Sequence, residues 1–206
     1  MIGYYNYTVI LTYIGTVSGF MGITFILQNE LKIALLCLIF AGLCDMFDGK
    51  IASTMDRTKE EKSFGIQIDS LSDLICFGVL PALIIYHCSN HHNIYKVVSA
   101  IFVLCALIRL AWFNVDEEIR QSQESGGRKT YLGMPVTTSA LIIPFVVGVG
   151  CITKLNLVNV YPWLLLAVGA AFLTPFKTKK PHLLGKIIMM LLGAGSLAVV
   201  LIGVPA

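Results

Sequence analysis

The chain has 206 residues, of which 56% are hydrophobic and 13% charged, and its formal net charge is +3. With a positive mean hydropathy, that balance excludes an ordinary soluble domain; nucleic acid is not an expected partner. Six scattered cysteines without a C-x-x-C pair point to buried reduced thiols and away from disulfides or zinc.

Apolar runs of about 20 residues, the length a helix needs to cross a hydrocarbon core of about 30 Å, recur along the chain. In order they cover residues 8–27, 31–53, 65–87, 95–115, 135–155, 158–176 and 184–206. Pro144 and Pro162 could kink or shorten their segments. The last run is either one long span or a tight hairpin about Gly193 and Gly195. Without water in the bilayer every backbone group must be paired internally. The expected fold is therefore all-α, a polytopic transmembrane helical bundle of six to eight spans, with residues 1–206 as a single integral membrane domain. No basic residue precedes Lys32 and no small-residue cleavage site follows the first run, so that run is expected to stay as a helix.

Seven spans divide the basic residues unequally. Arg57, Lys59, Lys62, Arg120, Arg128, Lys129, Lys177, Lys179, Lys180 and Lys186 fall on one side, against Lys32, Lys96 and Lys154 on the other, with Lys50 and Arg109 inside helices. The excess places the first side in the cytoplasm of a multi-pass protein of the cell membrane. Asp45 and Asp48, at the end of the second span, and Asp69 and Asp73, at the start of the third, then share the cytoplasmic face. Arg109 and Asn114, near the end of the fourth, and the Y-L-G-M-P stretch that opens the fifth lie on that side too.

At 100° per residue, Asp45, Asp48, Gly49 and Ala52 share one helix face, and Gly65, Asp69 and Asp73 share another. An ionised side chain at bilayer depth costs about 2.5–3.5 kcal/mol, and four such carboxylates repel one another. An all-oxygen ligand set without His or Cys suits a hard divalent cation, Mg2+ or Mn2+, with Ca2+ also admissible. Gly49 and Gly65, lacking side chains, leave room for a phosphorylated ligand to approach the backbone, and a metal-bridged pyrophosphate joins these parts most simply. The competing readings are helix capping or ion pairing for the acids and close helix packing for the glycines. A divalent-metal transporter is a third, although such sites usually lie near the midplane between repeats.

The pattern Asp45-x-x-Asp48-Gly49-x-x-Ala52 followed by Gly65-x-x-x-Asp69-x-x-x-Asp73 resembles the signature of the CDP-alcohol phosphotransferases. The stretches D-S-L-S-D-L-I-C-F-G-V-L-P-A, R-L-A-W-F-N and Y-L-G-M-P are similar to the phosphatidylserine synthase branch of that family. The resemblance implies a homodimeric membrane enzyme that transfers a phosphatidyl group from CDP-diacylglycerol to L-serine and releases CMP, amid membrane lipids. It implies that Asp45, Asp48 and Asp69 hold divalent metal, and that Asp73 is the catalytic base and lies close to a second ion. Another acceptor alcohol or another lipid donor is the alternative within the family.

Two positions depart from the family pattern. Ser53 stands where an arginine usually follows the alanine, and the gap from there to Gly65 is longer than the common form; Arg57, one turn on, is the candidate replacement. Trp112 stands where related synthases often carry a second arginine. Substrate contacts are therefore expected from Gly49, Ala52, Gly65, Arg57, Arg109 and Asn114. Arg128 and Lys129, near Tyr131, read first as solvated positive-inside charge, with a lipid phosphate or the serine carboxylate as the alternative, and the run Lys177 to Lys180 as charge facing anionic headgroups. His87, His91 and His92 fall in an outer loop, opposite the acids. Asp56 to Lys62 reads as an outward continuation of the second helix forming a rim over the nucleotide, and Asp116 to Lys129 as a mobile hydrophilic segment.

Overall fold

The computed structural model describes residues 3–89, 93–123, 130–179 and 183–205. Seven helices account for most of them: α1 (Ile10–Leu27), α2 (Leu31–Ala52), α3 (Lys59–Cys88), α4 (Asn93–Gln123), α5 (Ser139–Thr153), α6 (Tyr161–Leu173) and α7 (Leu183–Gly203). Four stretches, at Tyr7–Leu27, Lys59–Cys88, Asn93–Arg120 and Val136–Thr153, are long and apolar enough to cross a membrane, and Tyr161–Leu173 and Met190–Gly203 are shorter apolar helices. Helix α2 is long enough as well, but carries Lys32, Asp45, Asp48 and Lys50. The protein is thus a polytopic helical bundle. The last run is one uninterrupted helix, not a hairpin about Gly193 and Gly195.

Short apolar and small residues let the helices approach. Gly19 of α1 lies so near Cys76 of α3 that an added Cβ would overlap its Sγ. On α5, a Cβ at Gly148 would meet Val199 of α7 at 2.6 Å. Leu35, Leu38, Phe77, Leu80, Phe102 and Phe172 form the middle of the core and are almost completely buried. All six cysteines are free.

Helix ends sort into two faces. Asn6 and Tyr7 bond to Glu61 and Thr54 at one face, where β1 (Thr130–Leu132) also pairs antiparallel with β2 (Lys177–Lys179). At the opposite face Lys32 Nζ donates to Leu201 O at 3.0 Å, and Tyr95 Oη donates to Asn159 Oδ1 at 3.4 Å. The chain therefore threads back and forth as the basic-residue count requires, with a small strand pair that an all-helical reading lacks. It ties the α4–α5 and α6–α7 connections together, and Gly133 N–H extends it to Phe176 O at 2.8 Å.

Helix α3 is not regular. Its α-helical geometry gives way to a π-helical turn over Leu74–Val79, with the Leu80 N–H reaching back five residues to Ile75 O. The cause is Pro81, whose ring crowds the carbonyl four residues before it and which has no N–H to return to Phe77 O. Ser139 Oγ of α5, fully buried, supplies the missing donor to Phe77 O at 2.9 Å. Asp73 is the last residue before this widened turn.

Two expectations on loops are corrected. Asp56 to Lys62 does not prolong α2, which stops at Ala52: Thr58 starts α3 through a capping box, its side chain accepting from Glu61 N at 3.2 Å while Glu61 Oε2 accepts from Thr58 N at 2.9 Å. Asp116 to Gln123 belongs to α4, since charged residues extend a helix freely once it has left the apolar layer; Arg128 and Lys129 lie outside the described residues. Lys180, His91 and His92 lie outside them too.

Candidate active site

Helix α2 presents Asp45 and Asp48 about one turn apart, and α3 presents Asp69 and Asp73 in the same way. Asp45, Asp48 and Asp69 each bring one carboxylate oxygen into a group whose members all lie within 4.8 Å of one another. Asp73 completes the quartet through side-chain contact with Asp45, and Asp48 contacts Asp69. All four are partly buried. Among the described residues no lysine or arginine forms an ion pair with them.

Asp48 accepts from the Gly49 N–H of its own helix, and a side-chain donor comes from α1. Thr12 is buried and its Oγ1 donates to Asp48 Oδ2 at 3.2 Å. One turn further on, Thr16 Oγ1 lies 2.7 Å from both Thr12 O and Ser72 Oγ. The sequence does not single out these hydroxyls, although Thr12 and Thr16 lie one turn apart on a largely apolar helix, with Thr8 a further turn before them. Gly15 and Gly19 bring that stripe close, against Cys44 and Cys76.

This donor set fits a hard divalent cation. Ligand oxygens on opposite sides of Mg2+ are about 4.2 Å apart and around Ca2+ about 4.8 Å, so the oxygens of Asp45, Asp48 and Asp69 have the spread of one coordination sphere. Among the described residues only the Thr12 hydroxyl and the Gly49 N–H donate to the cluster from outside it, and no basic side chain pairs with it, which leaves its charge to be balanced by a bound cation.

The glycines and Arg57 form the approach. A Cβ built on Gly49 would find nothing within 4 Å, so close helix packing is not what this glycine serves, and open space lies beside Asp48. At Gly65 the neighbour is Arg57, with Nη1 3.1 Å from the built Cβ. The guanidinium lies across the start of α3, and its Nε is buried without a hydrogen-bond partner. Such an orphaned cationic donor suits an anionic ligand. Ala52 ends α2 close by. The loop that carries Arg57 is held to the chain's first turn by Asn6 Nδ2, which donates to Glu61 Oε1 at 3.2 Å, by a 3.0 Å bond between Tyr7 and Thr54, and by Tyr4 packed edge-on against Phe64.

Arg109 and Asn114 take other places. Arg109 is 6% exposed; its Nε donates to Met134 O at 3.3 Å and its guanidinium stacks over Trp112 and Phe113. It lines a cavity of about 220 Å³ between α4, α6 and Gly133. Gly133 has φ +74°, and a Cβ there would also press on Thr174 O at 3.0 Å. Asn114 accepts from Ser70 Oγ at 2.7 Å and donates to Gln67 Oε1 at 3.4 Å, binding α4 to α3. His87 sits at the far end of α3 from the acids.

The sequence pattern of CDP-alcohol phosphatidyltransferases matches residues 5–175. The chain is 33% identical over 135 residues to the archaetidylserine synthase of Methanothermobacter thermautotrophicus, covering 65% of this chain and 54% of that protein. It is 32% identical over 127 residues to a CDP-diacylglycerol–serine O-phosphatidyltransferase of Helicobacter pylori, covering 61% and 50%. A protein of the same name in Methanocaldococcus jannaschii is 28% identical over 193 residues, covering 94% and 83%. The chain thus spans about half the length of the first two relatives and most of the third.

Proposed function

The chain belongs to the CDP-alcohol phosphatidyltransferase family, and on that premise we propose that it transfers a phosphatidyl group from CDP-diacylglycerol to L-serine, yielding phosphatidylserine and CMP. The observation that supports this most is the meeting of four aspartates from α2 and α3 beside the open space at Gly49. Relatives named for serine transfer supply the acceptor.

In this reading Asp45, Asp48 and Asp69 would hold Mg2+ or Mn2+, with Ca2+ as a further candidate, and Asp73 would be close to a second ion; such ions would supply positive charge to the pyrophosphate and to the departing CMP. Gly49, Ala52 and Gly65 leave the space in which the donor's phosphates lie. Arg57 donates to a phosphate oxygen and takes the part of the arginine that Ser53 replaces. Asp73 accepts the proton of the serine hydroxyl as its oxygen bonds to the phosphorus that bears diacylglycerol and the bond from that phosphorus to CMP breaks. Arg109 and Asn114 are further candidates for contact with the substrates, Asn114 being bonded to Ser70 beside Asp69. The site faces the cytoplasm of the cell membrane, where CDP-lipid tails remain among helices and serine arrives from water, and the protein acts as a homodimer.

The test is CMP release by purified protein given CDP-diacylglycerol, Mn2+ and, separately, L-serine, glycerol 3-phosphate or inositol phosphate. Serine-dependent release is expected. Inactivity with serine alongside turnover of another alcohol would overturn the acceptor assignment, and metal uptake into proteoliposomes that Asp69→Asn abolishes would favour a transporter.

A further inference from the structure

An apolar groove of about 350 Å³ opens directly from Asp45 between α2, α5 and α7. Gly42, Thr138, Leu141, Gly193 and Leu197 line it with that aspartate. Its base is narrow, because a Cβ on Gly42 would meet Ala140 at 2.9 Å, whereas its α7 wall is slack, with Leu141 at 3.6 Å from a Cβ built on Gly193. One end of the groove is thus polar and belongs to the acidic site, and the rest is hydrocarbon-like. Helix α7, which forms the wall, lies beyond residues 5–175 that carry the family pattern.

We propose that this groove takes a tail of the CDP-activated lipid and that α7, through Gly193 and Ala194, sets which tails the protein accepts. The inference rests on the reading of the acidic site given above. Its occupant follows from continuity: a donor whose pyrophosphate lies at Asp45 must send its tails away through apolar surface, and this groove starts at that residue. Small residues at 193 and 194 keep the wall open, so that larger ones would displace methylenes from it. Excluding two methylenes weakens binding by about tenfold.

The experiment compares CDP-dioctanoylglycerol with CDP-dioleoylglycerol in wild type, Gly193→Ala, Gly193→Leu and Ala194→Leu, reading kcat/KM for CMP release. Gly193→Ala adds one methyl group in ordinary contact with Leu141 and should lose less than Gly193→Leu with the long-chain donor. Both leucine variants should lose about tenfold or more with the long-chain donor, and less than about threefold with the short one. Equal losses with both donors, or none, would overturn the proposal.

A second readout does not depend on turnover or on the leucine variants folding. A CDP-diacylglycerol with a diazirine at its tail end should crosslink to α7 in wild-type protein, in competition with unlabelled CDP-diacylglycerol but not with phosphatidylcholine. Crosslinks confined to other helices, or equal competition by phosphatidylcholine, would show bulk lipid in the groove and overturn the proposal. Absence of serine-dependent CMP release from wild type would instead count against the function itself.

Discussion

Ser139→Ala tests the origin of the π-helical turn that follows Asp73. The hydroxyl is fully buried and donates to Phe77 O at 2.9 Å, a carbonyl that cannot receive the usual helical N–H because residue 81 is proline. Removing the donor leaves a buried acceptor unpaired, an effect of about 1–3 kcal/mol in water-soluble proteins. Interhelical hydrogen bonds in bilayers average about 0.6 kcal/mol and reach about 1.7, so a loss of about 0.5–2 kcal/mol is expected from unfolding titrations with SDS in mixed micelles. In a Pro81→Ala background, the backbone N–H gained at that position can reach Phe77 O, and the same serine replacement should then cost close to nothing. An undiminished cost in that background, or no cost in either, would refute the explanation. CMP release should also fall in Ser139→Ala, because relaxation of the turn shifts Asp73 against Asp45.

Other outcomes follow from the site. Asp69→Asn should lose both divalent-ion binding, read by isothermal titration calorimetry, and turnover, whereas Asp73→Asn should keep most of its metal affinity while CMP release falls by about 10²–10⁴-fold, the usual contribution of a general base. Arg57→Ala should raise KM for CDP-diacylglycerol about tenfold or more, in line with a lost charge-assisted hydrogen bond of about 1.5–3 kcal/mol, with KM for serine little changed. Thr12→Val keeps the shape of the side chain and removes the bond to Asp48; metal affinity should shift by less than about tenfold, as for one neutral donor. Gly19→Val should prevent α1 from docking on Cys76 and lower the yield of folded protein in size-exclusion chromatography, whereas Gly49→Ala, facing open space, should fold normally.

Much of this architecture was legible because bilayer physics writes it in composition. The apolar runs at 8–27 and 31–53 end within two residues of α1 and α2. Where helix ends lie in water, hydropathy loses its grip: α3 starts at Lys59 instead of 65 because Thr58 and Glu61 cap it, and α4 runs to Gln123 past a charged stretch that reads as loop. The four aspartates were findable because spacing alone puts each pair on one face. Thr12 was not sought, since a threonine in a transmembrane segment can bond to its own helix and so carries little signal alone. Arg109 is expected to contact substrate because burying a guanidinium demands a partner, and sequence does not say that Met134 O and two aromatic rings meet part of that demand. The π-helical turn was encoded by Pro81, but the bond that completes it joins Phe77 to Ser139, 62 positions along the chain.

Thr12, Asp45, Asp48, Asp69 and Asp73 all precede the end of α3. During synthesis, then, the ionic heart of the protein is present once three helices have emerged, before α4 to α7 exist. A nascent chain stalled just after Cys88 already has every carboxylate in hand, together with the clasp from Asn6 and Tyr7 that draws the α2–α3 hairpin back onto the first helix. Capture of a cation at that stage would fasten the hairpin early, and the later helices would assemble around a centre whose charge had been settled in advance.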